Sequence, residues 1–244
     1  MSLDFPAAAD ALWALYDATG IRPEWILPVL YSESGFNPAI VNSLGYTGIN
    51  QASAQMLSGH GLDSSSYAAM PASQQITTVV IPEYEGIEKQ FGPLRSGTRI
   101  YQANFLPATL DKVTSLDGVL AHKGVYGEWG VPGYVYDSNT TFDYQHKGTI
   151  VLSDLAHAVG VAASTAAVKS AIDQTYAARP LEAPLRQDSV YGTDFGIEGA
   201  AAAHPLATAA VIAGGLGLAW AVHTGALGRF ARRWRIPILR SAPL

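Results

Sequence analysis

The segment from residue 23 to residue 35 constrains the fold more than any other part of the sequence. It begins with proline, which is tolerated in a first helical turn, and ends with glycine, which is favoured just after a last turn. The segment therefore predicts a helix with those bounds. Ile26, Val29 and Leu30 follow helical spacing and lie on one face of it. Glu33 continues this apolar face into the last turn of the helix.

A carboxyl group at the end of an apolar face has unusual chemistry. Burial and the negative end of the helix dipole both disfavour the charged form, so both raise the pKa of Glu33. A raised pKa suits a general acid that works near neutral pH. The alternative is a surface glutamate at a frayed helix end. Pro28 lies beyond the first turn and removes a backbone donor there. It therefore predicts a kink that rotates Glu33 relative to the apolar face.

Two motifs follow one another around this acid. Glu33-Ser-Gly-Phe-Asn-Pro38 is followed by Gly45-Tyr-Thr-Gly-Ile-Asn-Gln51 after a short loop. The pair resembles the lytic transglycosylase family, which includes soluble-transglycosylase and goose-lysozyme-like proteins and carries Glu-Ser-Gly-Phe-Asn-Pro and then Gly-x-x-Gly-Leu-Met-Gln. The resemblance implies that Glu33 is the single catalytic acid/base and that Gly48 and Gln51 shape the floor of a sugar-binding cleft. Asn50 replaces the methionine of the family.

A third motif, Ile100-Tyr-Gln-Ala-Asn-Phe-Leu-Pro-Ala108, resembles a phage-associated branch of this family that carries Leu-Tyr-x-x-x-Phe-x-Pro-Ala. The resemblance implies that the phenol of Tyr101 lies near the acid; a tyrosine of the core is the alternative. The wider family has asparagine directly after this tyrosine, where this chain has Gln102. The substrate-binding residues that the resemblance implies are Ser34, Tyr46, Gly48, Gln51, Tyr101 and Phe105.

Three other acidic residues are candidate partners of Glu33. Glu83, Glu85 and Glu88 lie on a helix predicted from residue 73 to about residue 90, interrupted near Pro82. They are candidate second carboxylates for an inverting hydrolase, but a clustered charge run usually forms a solvated face.

The stretch 143–154 matches a calcium-binding loop in part, with Asp143 at position 1, Gly148 at position 6 and Asp154 at position 12. Lys147 occupies position 5, where a ligand oxygen is needed. We therefore expect a metal-free turn, with Ser153 capping the next helix. The histidines lack metal-ligand spacing, and no phosphate loop or dinucleotide fingerprint is present, so we expect neither a metal nor a cofactor.

Composition narrows the class of protein further. The net charge of −5 does not suggest a nucleic-acid partner, and the absence of cysteine excludes disulfides. The first eleven residues do not have the pattern of a signal peptide. Residues 6–19 predict a first helix that ends at Gly20, and residues 164–178 are alanine-rich and helical in pattern. The expected fold class is mainly α, with a lysozyme-like domain.

A long apolar segment lies near the end of the chain. Residues 206–227 contain no Asp, Glu, Lys or Arg, and this length suffices to span a hydrocarbon core. The arginine cluster that follows predicts a cytoplasmic C-terminus if the segment crosses the inner membrane. A helix buried in an assembly is the alternative. The predicted domains are a lysozyme-like domain at 1–162, an alanine-rich helix and linker at 163–204, a transmembrane helix at 205–228 and a basic tail at 229–244.

The resemblance implies a peptidoglycan lytic transglycosylase that cleaves the bond between N-acetylmuramic acid and N-acetylglucosamine. The phage-like third motif and the apolar tail suggest a membrane-associated virion protein that acts on the periplasmic cell wall during genome entry, together with other virion proteins. Two alternatives stay open, namely a goose-type-lysozyme-like hydrolase and a structural or membrane virion component that only binds glycan.

Overall fold

A computed structural model describes residues 3–180 of the chain, and these residues are mainly helical. The prediction of a mainly α protein is therefore confirmed. The helices are α1 (Ala7–Thr19), α2 (Pro23–Ser34), α3 (Ala54–Gly59), α4 (Ser64–Ala68), α5 (Ala72–Gln75), α6 (Ile81–Phe91), α7 (Gly97–Phe105), α8 (Leu152–Ser164) and α9 (Ala166–Ala178). Two short strands, β1 (Val119–His122) and β2 (Thr149–Val151), pair antiparallel, with Val119 opposite Val151 and His122 opposite Thr149.

The first two helices end where the sequence predicts. Gly20 and Gly35 adopt left-handed conformations, with φ of 75° and 60°, and each backbone N–H donates to the carbonyl four residues earlier at 2.7 Å. Glycine reaches this conformation without a steric penalty, which explains both stops. Helix α2 begins at the predicted proline and continues through Pro28 to Ser34.

Helix α2 lies at the centre of the fold. Every residue from 23 to 30 is buried, including the carboxylate residue Glu24. The helix contacts α7, α8 and α9, and α1 contacts α5, α6 and α9 on the outside of this core. A helix that is buried on all sides must be surrounded by other elements. Its C-terminal turn therefore emerges from the middle of the hydrophobic core.

Helix α9 closes the core over α1 and α2. The indole N–H of Trp13 donates to the carbonyl of Thr175 at 2.9 Å. The phenol of Tyr176 donates to Glu24 Oε2 and accepts from Arg22 Nη2 at 3.1 Å. Arg22 also pairs with Glu24 Oε1 at 2.8 Å, so the buried carboxylate has a partner on each oxygen. Helix α9 lies within residues 163–204, which the sequence predicts to be an alanine-rich helix and linker.

One local prediction is confirmed, and another needs correction. The helix predicted from residue 73 to about residue 90 is interrupted before Pro82, because a π-helical turn at Ile76–Val80 joins α5 to α6 and shifts the hydrogen-bond register ahead of the proline. Ser153 does not cap α8, which begins one residue earlier. Asp154 in the first turn instead accepts a hydrogen bond from the backbone N–H of Val151 at 2.8 Å.

The predicted transmembrane helix at 205–228, the linker beyond residue 180 and the basic tail lie outside the described residues. Between residues 3 and 180, no single helix is long and apolar enough to cross a membrane. Helices α8 and α9 meet the length and composition criteria only as a pair, and they are bent by 73° relative to each other.

The contact between α9 and the core leads to a stability prediction. We expect Tyr176→Phe to lower the free energy of unfolding by about 1–2 kcal/mol, because the buried carboxylate of Glu24 loses a donor. Urea unfolding measures this change. Tyr126→Phe is the matched control, since the Tyr126 side chain is 64% exposed and its substitution is expected to be neutral. Equal stability of the two variants would contradict the assigned role of α9.

Candidate active site

Glu33 lies in the last turn of α2, directly after the fully buried Ile26, Val29 and Leu30. The residue as a whole is half-buried, but its Oε2 atom is inaccessible and has no hydrogen-bond partner. Burial raises the pKa of Glu33 from an ordinary 4.5 to about 8, and a nearby amide on Asn104 opposes this in part. The carboxyl group is therefore held in its protonated form at neutral pH.

Aromatic residues from two other helices surround the acid. Burial raises the pKa of Tyr84 and of Tyr101 well above 10, and the charge of Glu33 raises both further. This electrostatic coupling places both phenols near the carboxyl group. The hydroxyl of Tyr101 shares a 2.8 Å hydrogen bond with Oγ of Ser32, the residue directly before the acid. Both phenols stay neutral, so neither supplies a charge to the site.

Tyr101 and Phe105 have different surroundings within α7. The Tyr101 ring packs edge-on against Phe142, with 5.6 Å between centroids, and Phe105 packs against the same ring at 5.3 Å. Phe105 is buried and supports the wall behind Tyr101. Ser34 is also buried, and its hydroxyl donates to the carbonyl of Leu30 at 2.9 Å. That hydroxyl is thus engaged within the helix that carries Glu33.

The loop after α2 forms a tight cradle from residue 36 to residue 52. Thr47 bridges to both Val41 and Ala52 in antiparallel fashion, so the chain folds back on itself twice. Gly48 has φ +81°, and its N–H donates to the carbonyl of Ile40 at 2.9 Å. Gln51 also has positive φ, at 50°, and its side-chain amide donates to the Gly48 carbonyl at 3.0 Å. The two residues predicted to form the floor of the cleft are therefore hydrogen-bonded to each other.

The fully buried side chain of Gln75 holds this cradle against the helices. Its Oε1 accepts from the N–H of Ile49 at 2.8 Å, and its Nε2 donates to the carbonyls of Pro38 and Tyr67 at 2.8 and 2.7 Å. One amide thereby satisfies two backbone groups of the loop and one carbonyl at the end of α4. Tyr46 is buried in the same loop, at 7% exposure.

Asn50 and Gln102, the two residues that depart from the family motifs, are both held by hydrogen bonds to other side chains. Asn50 accepts a hydrogen bond from the phenol of Tyr67 at 2.7 Å, so this residue is anchored to α4. Gln102 is fully buried in a polar network, where it accepts from Arg99 Nη1 at 2.7 Å and donates to Thr109 Oγ1 at 3.0 Å. No hydrogen bond of the described residues links Gln102 to Glu33.

Asn104 supplies the amide beside the acid, and sequence reasoning missed it. Its Oδ1 accepts from the Tyr84 phenol at 2.7 Å, and its Nδ2 is buried without a hydrogen bond. The amide lies close enough to lower the pKa of Glu33, although Nδ2 has no partner with the geometry of a formed hydrogen bond. The sequence does contain a signal for Asn104, because it follows Tyr101 by three residues. Residues with this spacing share a helix face.

The acidic run on α6 is not a uniform solvated face. Glu83 pairs with His60 at 2.8 Å, with both side chains less than one-fifth exposed. Glu88 accepts from the N–H of Leu94 at 2.7 Å and from Arg95 at 3.0 Å. Glu85 alone of the three matches the solvated expectation, since it is exposed.

The calcium-like stretch is organised by a lysine. Lys147 Nζ lies 3.4 Å from both carboxylate oxygens of Asp154. Asp143 accepts from the backbone N–H groups of Lys147 and Gly148 at 2.8 and 2.7 Å, and from the phenol of Tyr136 at 2.7 Å. An ammonium group thus neutralises the final acid of the loop. Within residues 3–180, no group of three or more His, Asp or Glu residues is placed to hold a metal ion.

Comparison of the chain with family models, with curated proteins and with solved structures finds no match.

The cradle yields a prediction about two glycines of the same loop. A Cβ at Gly48 would lie 2.3 Å from Tyr67 Cε1 and 2.6 Å from Gln75 Oε1, whereas a Cβ at Gly45 would meet nothing within 4 Å. Both glycines have positive φ, +81° and +83°, so alanine is strained at either position. We expect Gly48→Ala to cost several-fold more unfolding free energy than the ~1 kcal/mol of Gly45→Ala. Thermal and urea unfolding compare the two, and similar losses would show that the close approach at Gly48 is unimportant.

Proposed function

We propose that this chain is a peptidoglycan lytic transglycosylase with a lysozyme-like domain, in which Glu33 is the acid and then the base. The observation that carries the proposal is a buried carboxyl group whose pKa is raised to about 8. A general acid has to hold its proton at the working pH and release it in the transition state. The desolvated end of α2 meets the first requirement, and the adjacent amide of Asn104 favours the second.

The proposed reaction proceeds in two proton transfers. Protonated Glu33 donates to the glycosidic oxygen between N-acetylmuramic acid and N-acetylglucosamine as that bond breaks. The carboxylate then takes the proton from the 6-hydroxyl of the muramyl residue, whose oxygen bonds to its own anomeric carbon and closes the 1,6-anhydro ring. The nucleophile belongs to the substrate and is already near the reacting carbon, so one carboxylate suffices.

The electrostatic surroundings of the acid support a single-carboxylate mechanism. Among the described residues, burial raises the pKa of Glu33 and Asn104 opposes this in part, with no ionic partner contributing. Glu83 has His60 as its partner, and Glu88 has Arg95. A hydrolase of the inverting type needs a second carboxylate free to activate water. Of the three candidate carboxylates on α6, these two are engaged and Glu85 is exposed, and the engagement of the two supports transglycosylation.

The glycan strand is proposed to lie over the cradle formed by Gly48 and Gln51, with the buried ring of Tyr101 supporting the acid from behind. The rigid, hydrogen-bonded loop supports this role, because a binding surface held by Gln75 loses little freedom when a ligand binds. The virion setting and the membrane anchor at 206–227 belong to the same proposal and rest on the phage-like third motif and on the apolar segment.

The first test of this function is Glu33→Gln. We expect this variant to release no soluble muropeptides from purified peptidoglycan sacculi, because the amide cannot donate the required proton at neutral pH. Glu85→Gln is the matched control, since it makes the same chemical change at an exposed carboxylate on α6. Mass spectrometry of the wild-type products should show muramyl ends lighter by one water than hydrolytic ends.

Each outcome of that experiment is informative. Products without the loss of water would establish a hydrolase in place of a transglycosylase. Release by Glu33→Gln at the wild-type rate, or no release by either protein, would reject the assignment of Glu33 as the acid and leave glycan binding alone.

The raised pKa also predicts how stability depends on pH. Between about 4.5 and about 8 the unfolded chain has lost the Glu33 proton while the folded protein retains it. Folding stability therefore falls as pH rises through this window, and Glu33→Gln removes that loss. We expect the variant to gain on wild type by at most about 1.4 kcal/mol per pH unit within the window. Urea unfolding at several pH values measures the difference, and a constant difference would contradict the shift.

A further inference from the structure

Two complementary polar atoms lie without hydrogen-bond partners on the neighbouring helices α2 and α7. Glu33 Oε2 is an acceptor and Asn104 Nδ2 is a donor, and both are buried without a hydrogen-bond partner. Buried polar groups are nearly always satisfied, because an unmade hydrogen bond costs about 1–3 kcal/mol. A donor and an acceptor that both stay unpaired in one site indicate an interaction that forms during function.

Tyr84 determines which end of the amide faces the acid. Its phenol is 2% exposed and donates to Asn104 Oδ1 at 2.7 Å. Burial, and then the charge of Glu33, raises the pKa of this phenol well above 10, so it remains a neutral donor. Because the carbonyl oxygen of the amide is engaged, the amino group is the part that remains for Glu33.

We propose that Asn104 is a positioning residue for Glu33: its amide donates a hydrogen bond to Oε2 as the carboxyl ionises, and Tyr84 holds it in that orientation. The proposal rests on the proposed role of Glu33 as acid and base. It adds a device that strengthens the acid at the moment of proton transfer.

The physical reason lies in the difference between the two protonation states. A hydrogen bond to a carboxylate is about twice as strong as one to a neutral carboxyl group. The interaction therefore stabilises the state that follows proton donation more than the state that precedes it, and only such a difference increases the rate. A fully desolvated acid without this donor would hold its proton too strongly.

The other groups around Glu33 do not replace the amide. On α7, the phenol of Tyr101 is engaged with Ser32 of α2, and it stays neutral because burial raises its pKa well above 10. On α6, the charge of Glu83 acts on the Tyr84 phenol and is itself paired with His60. Asn104 is the group that opposes the effect of burial on the Glu33 pKa.

The test variant is Asn104→Leu, which keeps the approximate shape of the side chain and removes the donor. Carbon-13 NMR of the labelled Glu33 carboxyl group is expected to show a pKa above the wild-type value, because the carboxylate loses its stabilising donor. On purified sacculi, we expect kcat to fall about tenfold or more and the alkaline limb of the pH profile to move to higher pH.

Two phenylalanine variants separate positioning from general loss of structure. Tyr84→Phe leaves the amide in place but unanchored, so we expect a smaller change in the same direction. Tyr136→Phe loses an equivalent 2.7 Å hydrogen bond, to Asp143, and should leave the Glu33 titration unchanged. An unaltered Glu33 titration in Asn104→Leu and in Tyr84→Phe would overturn the inference, even if both variants were slow.

The NMR measurement keeps this inference separate from the proposed function. If the Glu33 pKa rises in Asn104→Leu while the wild-type protein leaves sacculi intact, the coupling between Asn104 and Glu33 stands and the enzymatic proposal fails. If wild type degrades sacculi and the titration does not move, the enzymatic proposal stands and the assigned role of Asn104 fails.

Discussion

The desolvation of one carboxyl group is the constraint on which the candidate site depends. Helix α2 is buried on all sides because α7, α8 and α9 pack around it, and its last turn carries Glu33 out of that core. Water is therefore removed from Oε2 by the same packing that stabilises the fold. An acid of this kind needs no neighbouring charge, since exclusion of water alone disfavours the carboxylate.

The loop side of the candidate site is built by a different means. The loop from residue 36 to residue 52 is neither a helix nor a regular sheet, yet its backbone groups are bonded through paired bridges and through the Gln75 amide. Left-handed residues such as Gly48 and Gln51 let the chain reverse direction within a few residues. One buried polar side chain, fully hydrogen-bonded, thus holds the loop in place.

Motif spacing and helix geometry lead to different assignments on α7. The family pattern directs attention to the residue after Tyr101, but Gln102 turns toward Thr109 and Arg99 on the far side of the helix. Asn104 is one turn further on and returns to the face of Tyr101, next to Tyr84 and the acid. The angular position of a side chain on a helix decides whether it can reach an acid on a neighbouring helix.

The sequence by itself determined the bounds of α1 and α2, because proline and glycine act within a single turn and need no tertiary contacts. It also determined that Glu33 ends an apolar face. Only the tertiary structure decided that the face is covered, that Glu83 is paired with His60, and that Asn104 meets the acid. Those outcomes depend on packing between helices far apart in the chain, and local periodicity carries no information about which helix becomes the neighbour.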